Sequence, residues 1–196
     1  MLKYFVIYKP FGVLSQFTKE VPTHRTLGDL YDFPPDVYPV GRLDKDSEGL
    51  LIISNDKRLN HRLLNPDFQH RRQYWVQVEG TPDAAALAQL EQGLEIRFNK
   101  KTYQTLPAEV ALLPTPVNLP ERDPPVRFRK SIPTTWIALW LKEGKNRQVR
   151  RMCAKIGYPT LRLVRVAIEQ LEIPDFKIGE VKAIAGEILK KKLGIS

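Results

Sequence analysis

Asp44, Asp46 and Glu48 alternate along the stretch GRLDKDSEGLL, and Gly49 follows them. Carboxylates at this spacing suit a calcium loop, or acid–base and nucleophilic work. With Asp44 as the first position of a calcium loop, the twelfth falls on Asn55, where a bidentate glutamate is required. The flanks disagree as well, because helices should surround such a loop and Leu50 to Ser54 reads as a strand. A turn with solvated charges is the plain alternative, and it suits Asp46, Ser47 and Glu48 as residues that shape and cap the turn. Asp44 differs. Leu43 beside it and the apolar run downstream imply a loop pinned to a core, and a carboxylate held against apolar walls needs a cationic partner.

The segment KEGKNRQVRRMCAKIGYP offers the cations: Lys142, Lys145, Arg147, Arg150 and Arg151 stand there against one acid, Glu143. Asn146 is placed to cap a helix whose Val149, Met152, Cys153 and Ile156 form an apolar stripe, ended by Gly157 and Pro159. At about 100° per residue, Arg147, Arg151 and Lys155 point away from that stripe, which suits Arg147 and Arg151 to phosphates. Arg150 borders the stripe and can reach inward to a carboxylate, where a bidentate pair would keep the acid ionised at neutral pH. A third candidate is Tyr74. It alternates with Val76 and Val78 along a strand, so its ring points inward with them.

These side chains need a scaffold. Tyr4 to Tyr8 reads as a strand buried on both faces, ended by Lys9-Pro10-Phe11-Gly12. Prolines break the following stretch into loops around a short helix near Leu27 to Tyr31. Asn55-Asp56 caps a helix carrying Leu59, Leu63 and Leu64, stopped by Asn65-Pro66. Thr81 as N-cap and Pro82 as first helical residue open another helix with Leu87, Leu90 and Leu94 on one face, ended by Gly93. The proline-rich region from Tyr103 to Pro133 carries the basic run VRFRK and the strand-like EVALL, and reads as a structured, rim-forming loop. Thr135 to Leu141 is a central strand, Leu161 to Val166 and the region around Leu171 to Ile173 are further strands, and a short terminal helix ends in exposed Lys190, Lys191 and Lys192. No glycine-rich phosphate loop follows a strand, so the expectation is an α+β fold with a mixed, mostly antiparallel sheet.

A chain of 196 residues with 42% hydrophobic content has enough apolar material for a core. Its net charge of +9 favours a polyanion, nucleic acid ahead of a membrane surface. No apolar run reaches the roughly 20 residues of a membrane span, and the N-terminus has no secretory pattern. One cysteine, on the core stripe, fits a reducing cytoplasm, and His24, His61 and His70 lack metal-ligand spacing.

Together KPFGVLSQ, GRLDKDSEGLL, the Tyr74 strand and EGKNRQVRRMCAKIGYPTLRL resemble the RsuA-type family of pseudouridine synthases, and VLSQFTKE and DPPVRFRKSIPTTW look most like its ribosomal large-subunit pseudouridine synthase E subgroup. The resemblance implies the pseudouridine synthase catalytic fold, with two sheet lobes around a basic cleft. It implies isomerisation of a uridine to pseudouridine in ribosomal RNA, most specifically 23S large-subunit RNA, with no cofactor and no metal. Asp44 matches the family's catalytic aspartate, Tyr74 the tyrosine packed on the target base, and Arg150 the basic residue paired with the aspartate. Attack on the sugar, attack on the base and an eliminated glycal intermediate are all compatible with Asp44 in that role.

A base that is to be turned must leave its stack, so phosphate contacts have to hold the flipped strand. Arg42 is placed to fill the space of the flipped base or hold its phosphate, or else to pair with Asp46 or Glu48. Arg72 keeps the charge of a position where relatives carry lysine. Arg122, Arg127, Arg129 and Lys130, with Lys145, Arg147 and Arg151, are the expected RNA groove, against the alternative of a solvated basic face. Residues 1–196 are expected to form one catalytic domain without the small RNA-binding domain many relatives carry ahead of it, working in the cytoplasm as a monomer. Two other readings are an RNA-binding or ribosome-assembly factor without turnover, and the same chemistry on small-subunit or transfer RNA.

Overall fold

A computed structural model describes residues 1–98, 101–127, 129–173 and 176–195 of the chain. In chain order the elements are β1 (Tyr4–Lys9), β2 (Val13–Leu14), β3 (Arg25–Thr26), β4 (Tyr38–Val40), β5 (Glu48–Ser54), α1 (Lys57–Leu64) and β6 (Arg72–Glu79). Then come α2 (Ala84–Gln92), β7 (Glu95–Phe98), β8 (Lys101–Gln104), β9 (Glu109–Leu112), β10 (Thr134–Leu141) and α3 (Gln148–Lys155). The chain closes with β11 (Thr160–Ile168), β12 (Leu171–Glu172), β13 (Val181–Ala183) and α4 (Gly186–Lys192), and 3-10 turns cover Leu27–Asp29 and Pro66–Phe68. Among the described residues no helix is long and apolar enough to cross a membrane.

Two compact units emerge, Met1–His70 with Val164–Ser196, and Arg71–Leu163. In the first, β1 lies antiparallel between β13 and β5. The second edge of β5 is shared: β4 takes the Ile52–Ser54 half antiparallel, while β11 runs parallel at Glu48 and Gly49. Every residue of β1 and β5 is buried, as expected of central strands. Phe5, Ile7, Leu51 and Ile53 share one face and meet Val13, Leu27, Val37 and Leu43 from the loops that cross it.

The second unit is built on β6 and β9, both antiparallel to β10. Alternation along β6 sends Tyr74, Val76 and Val78 to one side, where Leu139 and Ile137 are the cross-strand neighbours of the first two. The core there takes in Val149, Met152 and Cys153 from α3 and Leu90 from α2. The result is an α+β fold with a mixed, mostly antiparallel sheet, as the element pattern predicts.

Several local expectations give way. Strand β5 begins at Glu48, so Glu48 is a buried strand residue and not part of the exposed turn. Asp83, not Thr81, caps α2: its carboxylate accepts the Ala86 N–H at 2.8 Å, which leaves Pro82 ahead of the helix. Asn146 does not cap α3. Its Oδ1 faces Arg151 Nη2 at 3.3 Å, and the cap position passes to Arg147 with a left-handed φ of 52°. Lys190 is half-buried, with Nζ 3.5 Å from Asp56 Oδ2, because Asp56 is itself buried and needs the charge. Asp56 does cap α1, accepting from the Arg58 and Leu59 N–H groups.

Candidate active site

The segment that ends β1 pins the acidic turn. Ser15 is buried and exchanges two hydrogen bonds with Leu43: its Oγ donates to the Leu43 carbonyl at 2.7 Å and accepts the Leu43 N–H at 3.0 Å. Gly12 N–H donates to the Lys45 carbonyl at 2.8 Å, and Ser47 N–H closes the turn onto the Asp44 carbonyl at 3.0 Å. Leu43 is buried in the β1–β5 core, so the residue before Asp44 is held both by hydrogen bonds and by packing. Asp44 itself is half-buried on this fixed backbone, and Arg42 is exposed two residues before it.

Beneath the turn lie charges that sequence reasoning missed. Lys9 is fully buried and donates from Nζ to the Pro10 carbonyl at 2.9 Å and the Val13 carbonyl at 2.7 Å. Burial pulls its ammonium down to about 7, against the opposing attraction of Glu48, Asp46 and Asp44, and Arg165 adds repulsion. Arg165 is also buried and donates from Nε to the Leu50 carbonyl at 2.8 Å. Gly49 makes that contact with β11 feasible: a methyl group there would sit 2.3 Å from the Arg165 carbonyl oxygen, and its φ of 106° is one that side chains disfavour. Two buried cations thus accompany one buried carboxylate, Glu48, and the two half-buried aspartates of the turn. Lys9 carries the one signal legible in the sequence, a cation closing an otherwise apolar strand.

In the second unit, Tyr74 is buried against the core that α3 covers, as its alternation predicts. Arg150 is half-buried on α3, with Nη1 3.5 Å from the Thr160 carbonyl. The Cys153 thiol, one turn along, is pushed up to about 11 by burial, so it fills core and offers no nucleophile at neutral pH. Asp44 belongs to one unit, and Tyr74 and Arg150 to the other.

Glu143, the lone acid of the cationic segment, is a buried structural hub. Its carboxylate accepts from the Tyr103 hydroxyl, from the Leu106 N–H at 2.8 Å and from Gln148 Nε2 at 2.5 Å. That hydrogen bond from Tyr103, aided by desolvation, raises the Tyr103 phenol to about 12. Lys145 places its ammonium 4.8 Å from the Tyr103 ring centroid, and its N–H donates to Gln148 Oε1 at 2.9 Å. The turn from Lys142 to Arg147 is therefore tied to the chain around β8.

The other expected RNA contacts have mixed settings. Arg127 and Lys130 are exposed. Arg129 pairs with Glu79 at 2.7 Å, and Arg122 donates to the Pro124 and Pro125 carbonyls. Arg151 donates to the Asn146 and Arg97 carbonyls, a brace for the turn. Arg72 is half-buried opposite Leu141. Arg162, which sequence reasoning passed over, is buried and donates to the Pro120 carbonyl at 2.9 Å, anchoring the proline-rich loop.

The family model described as RNA pseudouridylate synthase matches residues 3–155. The "Ribosomal large subunit pseudouridine synthase E" of Xanthomonas axonopodis pv. citri (strain 306) is 51% identical over 164 residues, covering 83% of this chain and 84% of that protein. The protein of the same name from Vibrio vulnificus (strain CMCP6) is 47% identical over 183 residues, covering 93% of this chain and 75% of its own. A solved structure titled "Crystal structure of pseudouridylate synthase" shares the fold with a TM-score of 0.79 at 22% identity, over 98% of this chain and 74% of that one. The chain belongs to the RNA pseudouridylate synthase family, enzymes that isomerise uridine in RNA to pseudouridine.

Proposed function

We propose that this protein converts a uridine of large-subunit ribosomal RNA to pseudouridine, as a single-chain catalytic domain in the cytoplasm. The observation that carries the substrate class is the identity of 51% and 47% to relatives named for the large ribosomal subunit. In this reading the N1–C1′ bond of the uridine breaks, the uracil turns, C5 takes the place of N1 on the sugar, the C5 proton leaves, and N1 takes up a proton, so the product is an isomer of the substrate. Asp44 supplies the carboxylate that acts at the reacting nucleotide, Tyr74 supports the freed uracil, and Arg150 keeps the acid ionised. Support for Asp44 over Asp46 and Glu48 is physical: Ser15 and Leu43 fix its backbone, while Glu48 is buried in β5. Arg42, Lys145 and Arg147 hold phosphates of the strand from which the uridine is flipped, with Arg127 and Lys130 adding long-range attraction.

Mapping pseudouridines across ribosomal RNA from cells with and without this protein tests the reading. One missing site in large-subunit RNA is the expected result. An unchanged map would overturn it, and a site lost from small-subunit or transfer RNA would reassign the substrate.

A further inference from the structure

Phe68 is an aromatic side chain left at the surface, 42% exposed, on the 3-10 turn Pro66–Phe68. Single exposed apolar side chains are ordinary, so the case for Phe68 rests on how its ring is held and on what surrounds it. Local hydrogen bonds define the turn that presents the ring. Asn65 Oδ1 accepts the Asp67 N–H at 3.1 Å, Phe68 N–H donates to the Asn65 carbonyl at 3.2 Å, and Gln69 N–H donates to the Pro66 carbonyl at 3.0 Å. Beyond the ring, Gln69 takes a left-handed conformation, and buried His70 is held by Glu169, Nδ1 to Oε1 at 3.2 Å.

The surroundings are cationic and aromatic. The Arg62 guanidinium lies over the Phe68 ring, 5.2 Å from its centroid. His61 stands edge-on at 6.2 Å, and His70 is tilted at 6.3 Å. Arg58 and His61 are exposed on the same helix, and Asp67 is the exposed acid beside the ring. This patch is also tied to the acidic turn. Leu64, 45% exposed, packs on Gly41: a methyl group at Gly41 would lie 2.9 Å from Leu64 Cδ2. Gly41 directly precedes Arg42 and stands three residues before Asp44. Phe68 follows Leu64 by four residues, on the 3-10 turn that Asn65 joins to α1.

An aromatic face backed by arginine and set among cations matches the chemistry of an unpaired nucleobase with its phosphate. We propose that Phe68, backed by Arg62, is a stacking platform for an unpaired base of the RNA strand flanking the target uridine. This rests on the RNA-modifying reading above and assigns to that site a contact outside the expected catalytic set and the expected groove. Stacking on one ring gives affinity without neutralising a phosphate, so its loss leaves the salt dependence of binding unchanged.

The test compares wild type with Phe68→Ala, Phe68→Leu and Phe68→Tyr on a large-subunit ribosomal RNA transcript. Filter binding across a salt series gives affinity and slope, tritium release from C5-labelled uridine gives turnover, and thermal melts confirm the fold. Expected are an affinity about tenfold weaker for both Phe68→Ala and Phe68→Leu, with the slope and the saturated rate of wild type, and near-normal affinity for Phe68→Tyr. Wild-type affinity in Phe68→Ala, the result of a patch that faces a protein, would overturn the platform. So would full recovery in Phe68→Leu, which has apolar bulk without a π-face. If wild type binds the transcript but releases no tritium, the isomerase reading fails on this RNA while the affinity series still decides the role of Phe68.

Discussion

Ser15 and Leu43 are 28 residues apart and hold each other through two hydrogen bonds, with the Ser15 hydroxyl engaging both the N–H and the carbonyl of Leu43. The next residue is Asp44. Backbone placement at the carboxylate is thus set by a side chain from another motif, which makes Ser15 a positioning residue. Replacing it with alanine leaves two backbone groups without that partner, so Ser15→Ala should destabilise the fold by about 2 kcal/mol in urea titrations. Its saturated turnover should also fall, while Ser15→Thr, which keeps the hydroxyl, restores part of it. Unchanged turnover in Ser15→Ala would remove Ser15 from the positioning of Asp44.

Asp44→Asn keeps the shape and removes the charge. Pseudouridine formation should vanish in tritium-release assays, and RNA affinity should stay within a few fold of wild type. Equal activity of mutant and wild type would refute the assignment of Asp44.

Lys9 makes stability depend on pH in a defined direction. Its folded value of about 7 lies below the ordinary lysine value of 10.5. Between those two, the unfolded chain holds a proton that the folded one has released, so stability rises with pH across that window. The burial penalty is greatest below pH 7. Urea midpoints at pH 6, 7.5 and 9 should therefore show Lys9→Met gaining on wild type most at pH 6 and progressively less at pH 7.5 and 9. Parallel pH profiles for the two proteins would show that Lys9 keeps its proton in the fold.

Arg147 combines two effects that glycine separates. Its left-handed backbone costs an L-residue roughly 1–2 kcal/mol that glycine avoids. Arg147→Gly should melt no lower than wild type, yet bind RNA more weakly, with a salt slope reduced by about one unit. An unchanged slope would take Arg147 out of the phosphate contacts.

Much of this architecture was legible because periodicity is a direct imprint of burial. Tyr74, Val76 and Val78 had to face one way, and Val149, Met152 and Cys153 had to lie on one stripe of α3. Two classes of feature were not. The hairpin β7–β8 and strand β13 are short, and their pairings come from tertiary contacts rather than from a strong alternation of their own. Buried charge was the other. Nothing in local spacing distinguishes Glu48, Glu143, Arg162 and Arg165 from surface charges, because groups that compensate them come from distant parts of the chain. The left-handed Arg147 was hidden for a similar reason: Asn146, the better cap by residue type, is engaged with Arg151.

The parallel contact of β11 with β5 at Gly49 has a consequence for biosynthesis. Residues 71–163 separate the two parts of the first unit, so Arg165 reaches the strand behind Asp44 only after most of the chain has been made. Closing a loop of that length costs on the order of 4 kcal/mol in chain entropy, recovered only once β11 has docked. Ser15 and Leu43 can meet early on the ribosome, but the foundation under the acidic turn waits for the emerging C-terminal portion. A nascent chain that stops before Arg165 would carry every expected catalytic side chain and still lack the support that fixes one of them.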